Sequence, residues 1–163
     1  MSSFNRRLFL LSSAAALAGC GFTPAYGPGG AASRLQNAVL VDEPKDRPGY
    51  LLTRRFEERM GRASPGRYGL SYAITTSESA IAISSNNVIT RYNILGNVTF
   101  ALRDMSTDKV LTSGKVDSFT SYSASGTTVA TVAAKRDAEA RLMTILTDQI
   151  ITKLTATAGS LPA

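Results

Sequence analysis

The residue with the clearest chemical potential is Cys20, the only cysteine in the 163-residue chain. It follows an apolar run, residues 8–17, which is itself preceded by Arg6 and Arg7. A basic stretch and then a short apolar stretch are typical of an export signal, and this run is too short to span a bilayer. We therefore interpret the cysteine as part of an export and processing signal.

The four residues Leu17-Ala18-Gly19-Cys20 resemble the lipobox of bacterial lipoproteins. The resemblance implies that Cys20 receives a diacylglyceryl thioether, that the chain is cut before it, and that the new amine is acylated. An ordinary signal peptide with a chance cysteine is the alternative. We expect residues 1–19 to be the lipoprotein signal peptide, with this covalent lipid on Cys20 and no other cofactor. The arginine pair suits both the general secretory route and the twin-arginine route. In enterobacterial lipoproteins an aspartate directly after the lipidated cysteine retains the protein at the inner membrane, so Gly21 at this position favours the outer membrane.

The remaining composition argues against catalysis. The chain has no histidine, which removes the commonest general base and metal ligand. Most acidic residues stand next to Lys or Arg, as on a solvated surface, and neither a glycine-rich phosphate loop nor a cluster of metal ligands is visible. Ser–Lys chemistry stays open, although no nucleophile motif indicates it. We expect no catalytic residue, no metal site and no enzyme activity.

Charge limits the class of partner. Cleavage before Cys20 would remove two arginines and leave 16 basic residues against 12 acidic ones. This mild excess suits an anionic lipid or polysaccharide and is weak evidence for nucleic acid, so we expect no nucleic-acid partner.

The first half of the mature chain shows a tether, a strand and a helix. Residues 21–33 are rich in Gly and Pro and predict a flexible linker. With the acylated Cys20 that the lipobox resemblance implies, the tether covers residues 20–33. A strand is predicted over residues 35–41 and a proline-containing loop over 42–49. Leu52, Phe56 and Met60 recur at helical spacing and predict a helix over residues 50–62.

The second half changes to an alternating pattern and then to a long helix. Strands are predicted from residue 67, over 88–103 and over 109–122, with a turn at 84–87. The polar stretch 75–79 and the out-of-phase Phe119 each predict a bulge. A helix is predicted over residues 129–154, capped by Thr127 or Thr128, before a frayed tail at 155–163. Its buried side is predicted to hold Ala138, Leu142, Ile145, Leu146, Gln149 and Ile150, with Thr147 on the other side.

Two amphipathic helices can bury their apolar stripes only against one face of the sheet. A right-handed crossover would bring the first strand into that sheet in parallel orientation. The predicted fold class is therefore α+β, a two-layer sandwich with a four-stranded mixed sheet and two helices on one face. The predicted domain covers residues 34–157, followed by a tail at 158–163.

Both ends of the mature chain resemble the LptE family of lipopolysaccharide-assembly lipoproteins, in its alphaproteobacterial form. Residues 20–27, Cys-Gly-Phe-Thr-Pro-Ala-Tyr-Gly, look like the start of the mature family sequence. Residues 130–141, Ala-Thr-Val-Ala-Ala-Lys-Arg-Asp-Ala-Glu-Ala-Arg, are similar to the opening of its final helix. The resemblance implies an outer-membrane lipoprotein that sits as a plug in the LptD β-barrel and helps to insert lipopolysaccharide into the outer leaflet.

This implied role leaves two sets of candidate residues on the sheet. Contacts with the barrel are expected on the face that the helices leave uncovered, from Ile89, Asn93, Leu95 and Asn97. Contacts with lipid A phosphates are expected from Arg91, Arg103, Lys109 and Lys115, with ordinary solubilising charge as the alternative. A free-standing lipoprotein, acting as a pilotin-like chaperone or a periplasmic ligand-binding module, is the other function that stays open.

Overall fold

The computed structural model describes Gly27 and residues 30–83, 89–124 and 126–161. The export signal, Cys20 and the predicted turn at 84–87 lie outside the described residues. The elements, in chain order, are β1 (Val39–Val41), α1 (Arg47–Met60), β2 (Tyr68–Ile83), β3 (Ile89–Asp104), β4 (Val110–Ser123) and α2 (Thr128–Thr157). A short 3-10 turn precedes β1 at Ala31–Leu35, and another follows α2 at Ala158–Ser160.

The four strands form one sheet in the order β1-β2-β3-β4. β1 pairs with β2 in parallel orientation, and the other two pairs are antiparallel. The two helices pack on one face of this sheet and enclose a single core with it. The predicted α+β sandwich with a mixed sheet is therefore confirmed. Among the described residues, no helix has both the length and the apolar character needed to span a membrane.

The helix α1 begins earlier than predicted, at Arg47 rather than residue 50. The side chain of Asp46 caps it by accepting a 2.8 Å hydrogen bond from the amide of Gly49. Pro48 is tolerated because an amide in the first helical turn has no partner within the helix. Leu52, Phe56 and Met60 are buried, which confirms the predicted apolar stripe.

The helix α2 begins at the predicted cap, since the Thr127 hydroxyl accepts a hydrogen bond from the amide of Ala130. Its buried stripe is rotated from the predicted one: Ile145 is 38% exposed, whereas Thr147 is fully buried. Packing against α1 as well as the sheet turns this side of α2 inward. The Thr147 hydroxyl is satisfied there by donating to the carbonyl of Met143 at 2.6 Å.

The two ends of the domain are more ordered than predicted. Ala32 and Leu35 in the first 3-10 turn are fully buried, so the predicted flexible linker stops short of residue 33. The segment 35–41 forms a strand only at Val39–Val41. The tail is not frayed over residues 155–161, because α2 continues to Thr157 and both Ala158 and Leu161 are buried. The two 3-10 turns cover one end of the core together.

Neither predicted bulge occurs where the sequence pattern places it. Pairing between β2 and β3 is regular from Tyr68 to Ala80, and its register shifts only between Ala80 and Ile83. The stretch 75–79 is polar because this part of β2 extends beyond the helix-covered core, so its exposed positions need no apolar side chains. Phe119 pairs regularly with Leu95 and lies on the uncovered face of the sheet.

Candidate partner-binding surface

Among the described residues, no helix or strand covers the second face of the sheet. Strand alternation sends the even-numbered side chains of β3 into the core and the odd-numbered ones outward. We call this surface the open face: the odd-numbered residues of β3 from Ile89 to Arg103, with their cross-strand partners on β2 and β4. The structure places Ile89, Asn93, Leu95 and Asn97 together on it.

Two large apolar side chains lie next to each other on the open face. Leu95 is 46% exposed and pairs directly with Phe119, which is 63% exposed. Directly opposed side chains on neighbouring strands lie within contact distance, so these two form one apolar anchor pair. On the β2 side the partner of Leu95 is the small polar residue Ser77. The anchor pair therefore stands clear of its neighbours.

The rest of the open face is mostly polar. Asn93 lies between Ser79 and Ser121, and Asn97 lies between Thr75 and Asp117. These hydroxyl, amide and carboxylate groups can donate or accept hydrogen bonds along a flat surface. An apolar anchor surrounded by hydrogen-bonding groups is the usual anatomy of a protein–protein interface.

The four predicted cations do not form one cluster. Arg91 and Arg103 are twelve residues apart on β3, which corresponds to about 40 Å along an extended strand. Arg103 already pairs with Asp42, at 3.1 Å between Nη2 and Oδ1. Lys109 lies in the turn before β4, and Lys115 pairs with Thr99 in the middle of the sheet. The structure thus separates Arg91 from the other three.

The first turns of α2 carry exposed residues that sequence reasoning did not single out. Val129 is 80% exposed and Val132 is 46% exposed. With Ala133 and Arg136 they line a shallow cavity of about 280 Å³. These four residues recur at i, i+3, i+4 and i+7, but the same spacing continues into the buried part of the helix, so the sequence alone does not separate the exposed stripe from the buried one. Phe119, the exposed pairing partner of Leu95, is not among the predicted contact residues, because its position out of phase with the apolar residues of β4 predicts a bulge instead.

A polar cluster ties this start of α2 to the sheet. The Tyr122 hydroxyl donates to one oxygen of the Glu78 carboxylate, and the Lys135 ammonium donates to the other. Burial opposes ionisation of Glu78, but the hydrogen bonds from Lys135 and Tyr122 outweigh it and hold its pKa below the usual value. Burial and the bond to Glu78 raise the pKa of Tyr122. Tyr122 also stacks on Tyr92, at 5.3 Å between ring centroids, so the cluster is a structural brace.

Comparisons with solved structures identify the same fold in bacterial lipoproteins. A candidate lipoprotein from Caulobacter crescentus CB15 matches with a TM-score of 0.70 and 21% identity, covering 83% of this chain and 100% of that one. Rare lipoprotein B from Shewanella oneidensis matches with a TM-score of 0.56 and 13% identity, covering 76% and 96% of the two chains. A minor lipoprotein from Acinetobacter baumannii matches with a TM-score of 0.52 and 15% identity, covering 74% and 91%.

A comparison with curated proteins gives no match. The family model of LptE, described as lipopolysaccharide-assembly, matches residues 36–154. This range contains all four strands and nearly all of both helices, and it spans well over half of the chain. The resemblance noted at the two ends of the mature sequence thus extends through the folded domain. The chain is a member of the LptE family, the lipoproteins of lipopolysaccharide assembly at the outer membrane.

Proposed function

We propose that the protein is a non-enzymatic subunit that plugs an LptD-type outer-membrane β-barrel and assists insertion of lipopolysaccharide into the outer leaflet. The observation that carries this proposal is the open face, with its exposed Leu95–Phe119 pair set among hydroxyl and amide groups. The lumen of an outer-membrane barrel is polar, so a plug that contacts its wall needs a surface of mixed character rather than an apolar one. Exposed apolar side chains that lie together with polar groups around them are typical of an interaction surface.

A lipid on Cys20 would fix the end of the domain that faces the membrane. Ten residues connect Cys20 to Gly30, which is a reach of at most about 35 Å. Gly30 leads into the 3-10 turn that packs beside the C-terminal end of α2. The helix α2 has 30 residues, a length of about 45 Å. The tethered end would thus stay near the periplasmic surface while the start of α2 extends towards the barrel lumen.

A photo-crosslinking residue at Asn97 is expected to capture the barrel in intact outer membranes. Asn97 lies on the open face, two residues from Leu95, and is only partly exposed in the isolated chain. The matched control is the same crosslinker at Tyr50, which is 55% exposed on α1, in the helix layer. Capture from Asn97 well above capture from Tyr50 supports the proposal. Equal labelling at both positions, or none from Asn97 in a folded chain, would show that the open face is not the docking surface.

We propose that lipopolysaccharide binding uses these separated cations, with unequal contributions. Changing Arg91, Lys109 or Lys115 to Ala is expected to weaken lipopolysaccharide binding by about two- to fivefold, because each substitution removes one exposed charge contact. Arg103→Ala is expected to have a smaller effect, since Asp42 already pairs with that guanidinium. Titration of the purified chain with lipopolysaccharide at low and high salt measures both effects. Binding that is equal at both salt concentrations and in the quadruple Ala variant would remove these residues from the site.

A further inference from the structure

Within the part of the chain that the structure describes, no strand pairs with the outer edge of β4. The amide of Ala124 bonds the carbonyl of Thr90, so even-numbered residues at this edge pair with β3 and odd-numbered ones direct their amides and carbonyls outward. Two outward carbonyls are covered by α2. Lys153 donates to the carbonyl of Lys115 at 2.7 Å, and Arg141 donates to that of Ser121 at 3.3 Å. Between these two points a stretch of β4 edge remains uncovered within the described residues.

A groove runs along the same edge, between β4 and α2. Its volume is about 530 Å³, and it passes Val116 on the strand and Ile145, Gln149 and Thr152 on the helix. Ile145 is 38% exposed although it belongs to a helix whose neighbouring residue Leu146 is fully buried. The groove therefore leaves an apolar side chain open beside an unpaired strand edge. An open strand edge beside an exposed apolar groove suits a partner that adds a strand to the sheet and packs a helix against the groove.

The charges of β4 are self-complementary. Lys115 and Asp117 are the only charged residues of the strand, they have opposite signs, and they stand on either side of Val116. In an antiparallel pair of two β4 strands centred on Val116, each Lys115 lies opposite the other copy's Asp117. Opposite charges placed directly across a strand pair stabilise it, and like charges destabilise it. An isologous two-fold interface requires this kind of self-complementary pattern.

We propose that a second copy of the chain docks on this edge, pairing the two β4 strands antiparallel about Val116 and joining the two sheets into one of eight strands. The two grooves close against each other, so that Ile145 and Gln149 of both α2 helices meet across the two-fold axis. Lys153 must release the carbonyl of Lys115 for the strands to pair, and Arg141 must release that of Ser121 where the pairing extends to Leu111. The hydrogen bond from Lys153 therefore opposes dimer formation. The proposed dimer forms between free subunits and is separate from the proposed contact with a barrel.

Charge swapping tests this interface directly. We expect the purified full-length lipoprotein, in density-matched detergent, to sediment as a monomer–dimer equilibrium over a range of protein concentrations. Lys115→Asp and Asp117→Lys are each expected to raise the dissociation constant about tenfold, because each puts like charges opposite at both symmetry-related positions. The double variant Lys115→Asp/Asp117→Lys restores both opposite pairs, so its dissociation constant is expected to return to the wild-type value.

Lys45→Asp is the matched control, since it reverses an exposed charge in the loop between β1 and α1, at the opposite edge of the sheet. Its dissociation constant is expected to stay at the wild-type value, and that of Lys153→Ala is expected to fall. A wild-type chain that stays monomeric at every concentration overturns the proposal. So does a double variant that is as weak as the single ones, because a general effect of charge on solubility would not be rescued by the second substitution.

Discussion

A chain carrying Leu95→Asp and Phe119→Ser is expected to fold normally and to recover at least tenfold less barrel than the wild type in affinity purification from solubilised outer membranes. Both side chains lie on the open face and neither contributes to the core. Their cross-strand contact is worth about 1 kcal/mol or less to stability. In a partner interface, by contrast, a central apolar anchor commonly accounts for about 2 kcal/mol or more of the binding energy.

The control for this experiment is Tyr50→Asp, which places a charge at an equally exposed apolar position on α1. It is expected to recover barrel at the wild-type level. Unfolding curves for the three chains show whether the double variant is still folded. A folded double variant that recovers barrel as well as the wild type would mean that the open face contacts only solvent and does not bind the barrel.

The sequence was sufficient for the order of elements because its two periodicities are well separated. Alternation in β3 and the i, i+4, i+8 spacing of Leu52, Phe56 and Met60 each depend on one packing surface, and both predictions are confirmed. The cap at Thr127 is one of the two positions that local chemistry alone predicts. The relation of the sheet to the helices followed, since the apolar stripes had only one surface to cover.

Predictions from the sequence were wrong where a residue's element packs against more than one other element, or where its surface has no packing partner in the chain. The pattern of α2 predicts Thr147 outside the core, but α2 packs against both the sheet and α1, and the Thr147 hydroxyl is satisfied by the helix itself. Phe119 was interpreted as a bulge because an aromatic residue was expected to point inward, whereas it belongs to a surface without an intramolecular partner. The position of Arg103 beside Asp42 depends on a contact between distant parts of the chain, which no local pattern encodes.

The same limit applies to the candidate sites. The open-face row on β3 was predictable because one strand carries it. The Leu95–Phe119 pair was not predictable, because it needs the register between β3 and β4. The groove along β4 needs the position of α2 over the sheet as well, so only the structure shows that Ile145 stands beside the free edge.

Leu146→Ala is expected to be the most destabilising of the substitutions considered, lowering the free energy of unfolding by about 3 kcal/mol. Leu146 is fully buried, and one of its methyl carbons lies 2.8 Å from the position that a Cβ at Gly96 would occupy, so it packs directly on the backbone of β3. Because a glycine offers no side chain that could move into the vacated space, the cavity would collapse little and most of the packing energy would be lost. Val129→Ala, at an 80% exposed position of the same helix, is the matched control and is expected to change stability by less than about 0.5 kcal/mol. Urea unfolding of the three chains measures both values, and a Leu146→Ala chain as stable as the control would show that α2 does not pack on β3 at this point.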